Sequence, residues 1–139
     1  MSAVPEFTDA LVAQLTTLFP SALVVDGDPT ELVDDIVSVG DSTSSEEPDA
    51  LAPGGRWEVI DITVTIASAR GGNSAKAPRD AAFGMLDDLR TYLRTTDRTV
   101  GGSVLGNGGI VSHRHEQGMG KMGRWSVIEA TVRAYAEVS

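Results

Sequence analysis

Trp57-Glu58-Val59-Ile60-Asp61-Ile62-Thr63-Val64-Thr65-Ile66-Ala67 is the stretch on which the fold turns. Ile60, Ile62, Val64 and Ile66 recur at every second position, with Asp61, Thr63 and Thr65 between them. That period belongs to a long β-strand with one face on a core and the other on solvent. The pattern has an echo later in the chain. Arg56 to Val64 aligns with Arg124-Trp125-Ser126-Val127-Ile128-Glu129-Ala130-Thr131-Val132, identical at Arg, Trp, Val, Ile, Thr and Val. Two readings of the echo stay open: two strands that face one core and so look alike, or equivalent neighbouring strands built to a common plan. The second copy continues to Val138, and its inward set is Ile128, Ala130, Val132, Ala134 and Ala136, small enough to let a helix lie close.

Outward from these strands the period changes. After Pro5, Phe7, Leu11, Leu15 and Leu18 mark one face of a helix that Pro20 stops. Ala22 to Val25 reads as a short strand closed by Asp26-Gly27-Asp28-Pro29, and Asp35 to Asp41 as another. Pro78 opens a second helix whose apolar face is Ala82, Leu86, Leu89 and Leu93, with Asp87, Asp88, Arg90 and Arg94 on its solvated side. Asp97 to Gly109 is rich in turn residues, Ile110 to Glu116 has the makings of a strand, and Gly118 to Gly123 reads as a glycine-rich hairpin tip before the last strand. The order α, β, β, β, α, β, β predicts an α+β fold: a single mostly antiparallel sheet with two helices packed on one face. The whole chain, 1–139, is expected to form a single domain. Residues 41–55, rich in Ser, Glu, Asp, Pro and Gly, are expected to form a mobile acidic loop, because such a segment has little apolar area to bury.

The charge is unevenly spread. The formal net charge is −9. Residues 1–55 hold 11 of the 20 acids and none of the 11 bases, and residues 56–139 hold the other 9 acids and every base, so the two parts carry −11 and +2. Such a balance argues against non-specific nucleic-acid binding and against anionic membrane surfaces. No apolar run approaches a membrane span, and Met1 to Glu6 lacks the features of a signal peptide, so synthesis in the cytoplasm without export is the expectation. The absence of Cys removes disulfides and thiolate metal sites.

Catalytic patterns are missing. His113 and His115 share a strand face at a spacing that can bind metal, but no third ligand pattern follows. Gly118 to Gly123 lacks the spacing of a phosphate-binding loop, and neither Asp34-Asp35 nor Asp87-Asp88 turns both carboxylates to one point. No catalytic residue, metal site or cofactor is assigned. The remaining features suit contact: two Arg-Trp strand starts, an acidic segment and a glycine-rich tip.

The layout, with Val24-Val25-Asp26-Gly27, Val39-Gly40-Asp41, the Arg56 to Val64 strand, the turn Asp97-Arg98-Thr99-Val100-Gly101-Gly102 and the closing Trp125 to Ala136 strand, resembles the tail terminator proteins of long-tailed bacteriophages, particularly those of actinobacteria. The resemblance spans nearly the whole chain. It implies a non-enzymatic virion protein of the tail and neck, assembled in the host cytoplasm. Such a protein forms a homo-oligomeric ring, typically a hexamer, that caps the tail tube and stops its polymerisation. It then joins the head through a head-completion or stopper protein, and DNA meets it only in passage through the lumen. A tail-tube subunit or a head–tail stopper is the neighbouring alternative; a small metal-binding enzyme or ligand-binding domain using His113 and His115 is the distant one. A ring needs two different complementary patches per subunit. The expected pair sets Glu46, Glu47 and Asp49 of one subunit against Arg70, Arg98, Lys121 or Arg124 of the next, with Trp57, Trp125, Met119 and Met122 as apolar anchors.

Overall fold

The computed structural model describes residues 2–29, 33–48, 55–121 and 123–138. Helix α1 (Val4–Leu18) leads to strand β1 (Leu23–Asp26), then to the long strands β2 (Asp35–Pro48) and β3 (Arg56–Arg70). Helix α2 (Lys76–Thr91) runs on into a π-helical turn, Tyr92–Thr96, and the chain closes with β4 (Gly106–Gly120) and β5 (Gly123–Val138). The five strands make one sheet in the order β1-β2-β3-β5-β4. Only β1 and β2 run parallel; the other neighbours are antiparallel.

The expected α+β architecture is therefore present, and the two echoing strands are neighbours. They run antiparallel, with Arg56 opposite Val138 and Arg70 opposite Arg124, so of the matched residues of the echo only Thr63 and Thr131, at its centre of symmetry, face one another. The inward rows are Ile60, Ile62, Val64 and Ile66 on β3 and Ile128, Ala130, Val132, Ala134 and Ala136 on β5, all buried. Phe7, Leu11 and Leu15 of α1 and Ala82, Leu86 and Leu89 of α2 close over them in one cluster. The alanines of β5 let α2 approach, and larger side chains there would hold it off. The opposite face of the sheet carries Asp61, Thr63, Thr65, Thr131 and Arg133 and stays half open to solvent.

Two expectations are corrected. Residues 41–48 are not a loop: β2 continues through them, with Thr43 opposite Asp61, Ser45 opposite Val59 and Glu47 opposite Trp57. The register slips between Val39 and Ser42, and every residue from Gly40 to Pro48 is exposed. The segment forms a polar β-arm whose hydrogen bonds come from β3 and whose side chains bury nothing, so it carries no contrast between faces for a sequence reading to detect. Residues 49–54, the remainder of the expected loop except Gly55, lie outside the described residues. The second correction concerns Gly106 to Gly109, expected as turn. These residues already belong to β4, which is longer than Ile110 to Glu116 and irregular between Asn107 and Gly109 and between Ile110 and Ser112.

Candidate subunit interface

The residues expected to make contacts fall into groups at opposite ends of the sheet. Glu46, Glu47 and Trp57 lie on the β2–β3 arm, where Trp57 is 37% exposed and has Glu47 and Glu137 as its cross-strand neighbours. At the far end of β3, Ala69 opposes Trp125, which in turn opposes Gly118. At ~3.3 Å per residue the two tryptophans stand about 40 Å apart along the strands. Arg70, Met119, Lys121 and Arg124 gather at the Trp125 end. Met119 and Lys121 are exposed there. A largely apolar hollow of about 300 Å³ opens beside them, lined by Val33, Ile36, Ala67, Ala69, Lys121 and Trp125 among others. Asp49 and Met122 lie outside the described residues.

Arg70 is already engaged within its own chain. Its guanidinium donates to the Asp35 carboxylate at 2.9 Å, and this bond, reinforced by the Asp35 charge, raises the pKa of Arg70. Arg124 is partly covered, with its Nε buried and lacking a partner among the described residues. Asp61 and Arg133 make a two-pronged pair across β3 and β5 at 2.8 and 2.9 Å, which holds the Asp61 carboxyl below its usual range.

Arg98 stands apart from the other three candidate bases, and its surroundings show a feature the sequence reading missed. Arg90, Arg94 and Arg98 converge on a polar hollow of about 240 Å³ between the end of α2 and the start of β4, closed by Asn107, Gly108, Gly109 and Ile110. The walls are firmly built. Asn107 is 4% exposed; its Nδ2 donates to the carbonyls of Leu93 and Arg98 at 2.9 and 3.0 Å, and its Oδ1 accepts from the Gly109 N–H at 2.9 Å. Asp97 folds the connection. Its carboxylate accepts from Gly101 N–H at 2.7 Å and from the Thr99 hydroxyl and N–H at 2.8 and 3.0 Å, which lowers its pKa. Val100, Gly101 and Gly102 all take positive φ in that turn. Arg90 pairs with Asp87 at 3.0 Å, whereas Arg94 and Arg98 meet no carboxylate among the described residues. The Asp97 to Gly102 motif thus serves to set Arg98 beside the last turn of α2. The arginine spacing of four along a helix was the available signal, but read in sequence it is only a solvated face.

His113 and His115 do share a face, as their spacing implied. Both stand edge-on to Phe83 of α2, with ring centroids 6.2 and 5.1 Å away, and His115 Nε2 lies 2.6 Å from Ser126 Oγ. Among the described residues no three His, Cys, Asp or Glu side chains come together as a metal-binding group, and no helix is long and apolar enough to cross a membrane.

No family model matches the chain, and no curated protein sequence is similar to it. Its fold recurs in a solved structure described as "Virion of native gene transfer agent (GTA) particle", with a TM-score of 0.51 and 22% identity, over 91% of this chain and 92% of that one. At this identity the likeness is one of fold.

Proposed function

We propose that the chain is a structural protein of a phage-like particle and, within it, a tail terminator: a ring-forming subunit that caps the tail tube, halts its growth and offers the surface to which the head is joined. The observation that carries the reading is the shared fold. A chain of a gene transfer agent virion matches nearly end to end, so the whole of this architecture, and not one widespread motif within it, is what the two have in common. The layout of charge supports it. The acidic part of β2, beyond the reach of the short β1, forms one edge of the sheet and an arginine-lined hollow lies beside β4 at the other, the two unlike patches that a cyclic assembly needs. The sheet also has two distinct ends, one bearing Trp57 and one bearing Trp125, which suits a ring with different neighbours above and below it.

The test is reconstitution with the tail-tube subunit of the same particle. Negative-stain images should show closed rings, and tubes grown in the presence of the chain should end in one and stay short. Unbounded tubes built from the chain alone would assign it to the tube itself, and tube growth unaffected by the chain would remove the capping role.

A further inference from the structure

The arginine hollow gathers three cationic side chains of this acidic chain, two of which meet no carboxylate among the described residues, and its occupant follows from the register of the sheet. We infer that Arg90, Arg94 and Arg98 form a socket for the acidic β2–β3 arm of a second copy, with Glu46 as the entering carboxylate. The inference rests on the ring reading above and specifies the contact that closes it.

Three observations converge. The first is charge: Glu46 and Glu47 are exposed and neither has an ion-pair partner among the described residues, and Glu46, opposite the inward Glu58, is the one on the helix-bearing face that also holds the hollow. The second is level. Gly106 of β4 opposes Tyr135, Tyr135 opposes Val59, and Val59 opposes Ser45 of the arm; one step on, Asn107, Ala134, Ile60 and Ser44 align in the same way. The socket wall and the arm therefore stand at the same height on opposite edges of the sheet. A copy set beside another in the plane of a ring brings one against the other without an axial step, as closure rather than helical growth requires. The third is form. β1 covers β2 only from Ile36 to Val39, so the outer edge of the arm is unpaired among the described residues and free to approach a partner. A chain of net charge −9 also repels duplex DNA, which favours a protein carboxylate over nucleic-acid phosphate as the anion that reaches the socket.

The chain has no cysteine, so single introduced thiols report proximity cleanly. S45C places a thiol on the arm and T95C one beside Arg94, and both leave every charge in place. Mixed under mild oxidation at low salt, these two variants should give up to about tenfold more cross-linked dimer than S45C mixed with K121C at the far end, the advantage expected of one carboxylate shared by two exposed arginines. R94E/R98E in the T95C chain should abolish that excess, and E46R/E47R in the S45C chain should restore it, which excludes misfolding as the cause of the loss. Equal yields, an excess with K121C, or an excess indifferent to charge would overturn the inference. Duplex DNA binding by the unmodified chain that R94E/R98E removes would hand the socket to phosphate instead. Cross-linking without any ring in the presence of tube subunits would sink the capping role and leave the contact standing; rings without the cross-link would do the reverse.

Discussion

Glu58 shows how a single residue joins two elements. The inward row of β3 runs past Ile60 to a carboxylate that is 1% exposed. Helix α1 begins at Ala3, which has no side chain to cap the free N–H groups of the first turn. Glu58 supplies the cap from the sheet: it accepts from the Ala3 N–H at 2.7 Å and from the Ser2 hydroxyl at 2.6 Å. Burial pushes its pKa up, but the bonds from Ser2, Ala3 and Ser44 outweigh burial and leave it below the usual glutamate range. A carboxylate so depressed contributes stability that is fully present above its unfolded-state value and is lost as pH falls through the folded one. E58Q should cost about 1 kcal/mol near neutral pH, and the gap in urea midpoint between it and the wild type should narrow as the pH is lowered below about 4; a gap constant with pH would mean that the charge is idle. Trp125 makes a second residue-scale case. A Cβ built on Gly118 would lie 2.6 Å from its indole ring, so the glycine is what allows the ring to fold down across the strand. G118V should cost about 1–3 kcal/mol through displacement of that ring, and in a W57F background the emission of Trp125 alone should shift to the red.

At the scale of elements, legibility follows burial contrast. β3, β5, α1 and α2 all set apolar against polar residues at a fixed period, and each was readable from that period to within a few residues at its ends. Trp57 and Trp125 share the same local sequence yet differ in setting, because what distinguishes them is the neighbouring strand: Glu47 and Glu137 beside one, Ala69 and Gly118 beside the other. The arm was unreadable for a related reason. Asp41 to Pro48 has no buried side, and its order comes from backbone pairing with β3, to which Ser44 adds a side-chain bond to Glu58. The arginine socket was hidden because Arg98 reaches Arg90 and Arg94 only through the Asp97 turn and the Asn107 clamp, neither of which has a period to read. Native-state hydrogen exchange separates strand from loop directly. Amides of Ser42 to Glu47 that face β3 should exchange measurably slower than in an unfolded peptide, yet faster than those of Ile60 to Ile66 under the core. Exchange at the unfolded rate throughout would return the segment to a loop.

Across the whole molecule the proposed ring would divide the candidate contact groups into lateral and axial sets, and that separation is itself testable. The arm and the arginine socket lie at the two edges of the sheet; the hollow beside Trp125, with Lys121 and Met119, lies at one end of it. In a ring whose subunits stand side by side, the edges meet other copies while the ends meet whatever stacks above and below. Lateral contacts made of exposed charges should weaken with salt, since screening shortens the reach of each pair from about 10 Å near 0.1 M toward about 3 Å near 1 M. Axial contacts built on an apolar hollow of about 300 Å³ should persist, because burial of apolar surface is insensitive to screening. The two sets should therefore respond to different substitutions. Ala69→Glu, which places a carboxylate at the floor of the hollow, should leave ring formation by sedimentation velocity unchanged at low salt while abolishing attachment to whichever axial partner binds there. R94E/R98E should dissolve the rings and leave Trp125 emission untouched. If Ala69→Glu also dissolved the rings in a chain with wild-type thermal stability, the Trp125 end would be a lateral contact, and the subunit would have to be turned by about a right angle in the ring.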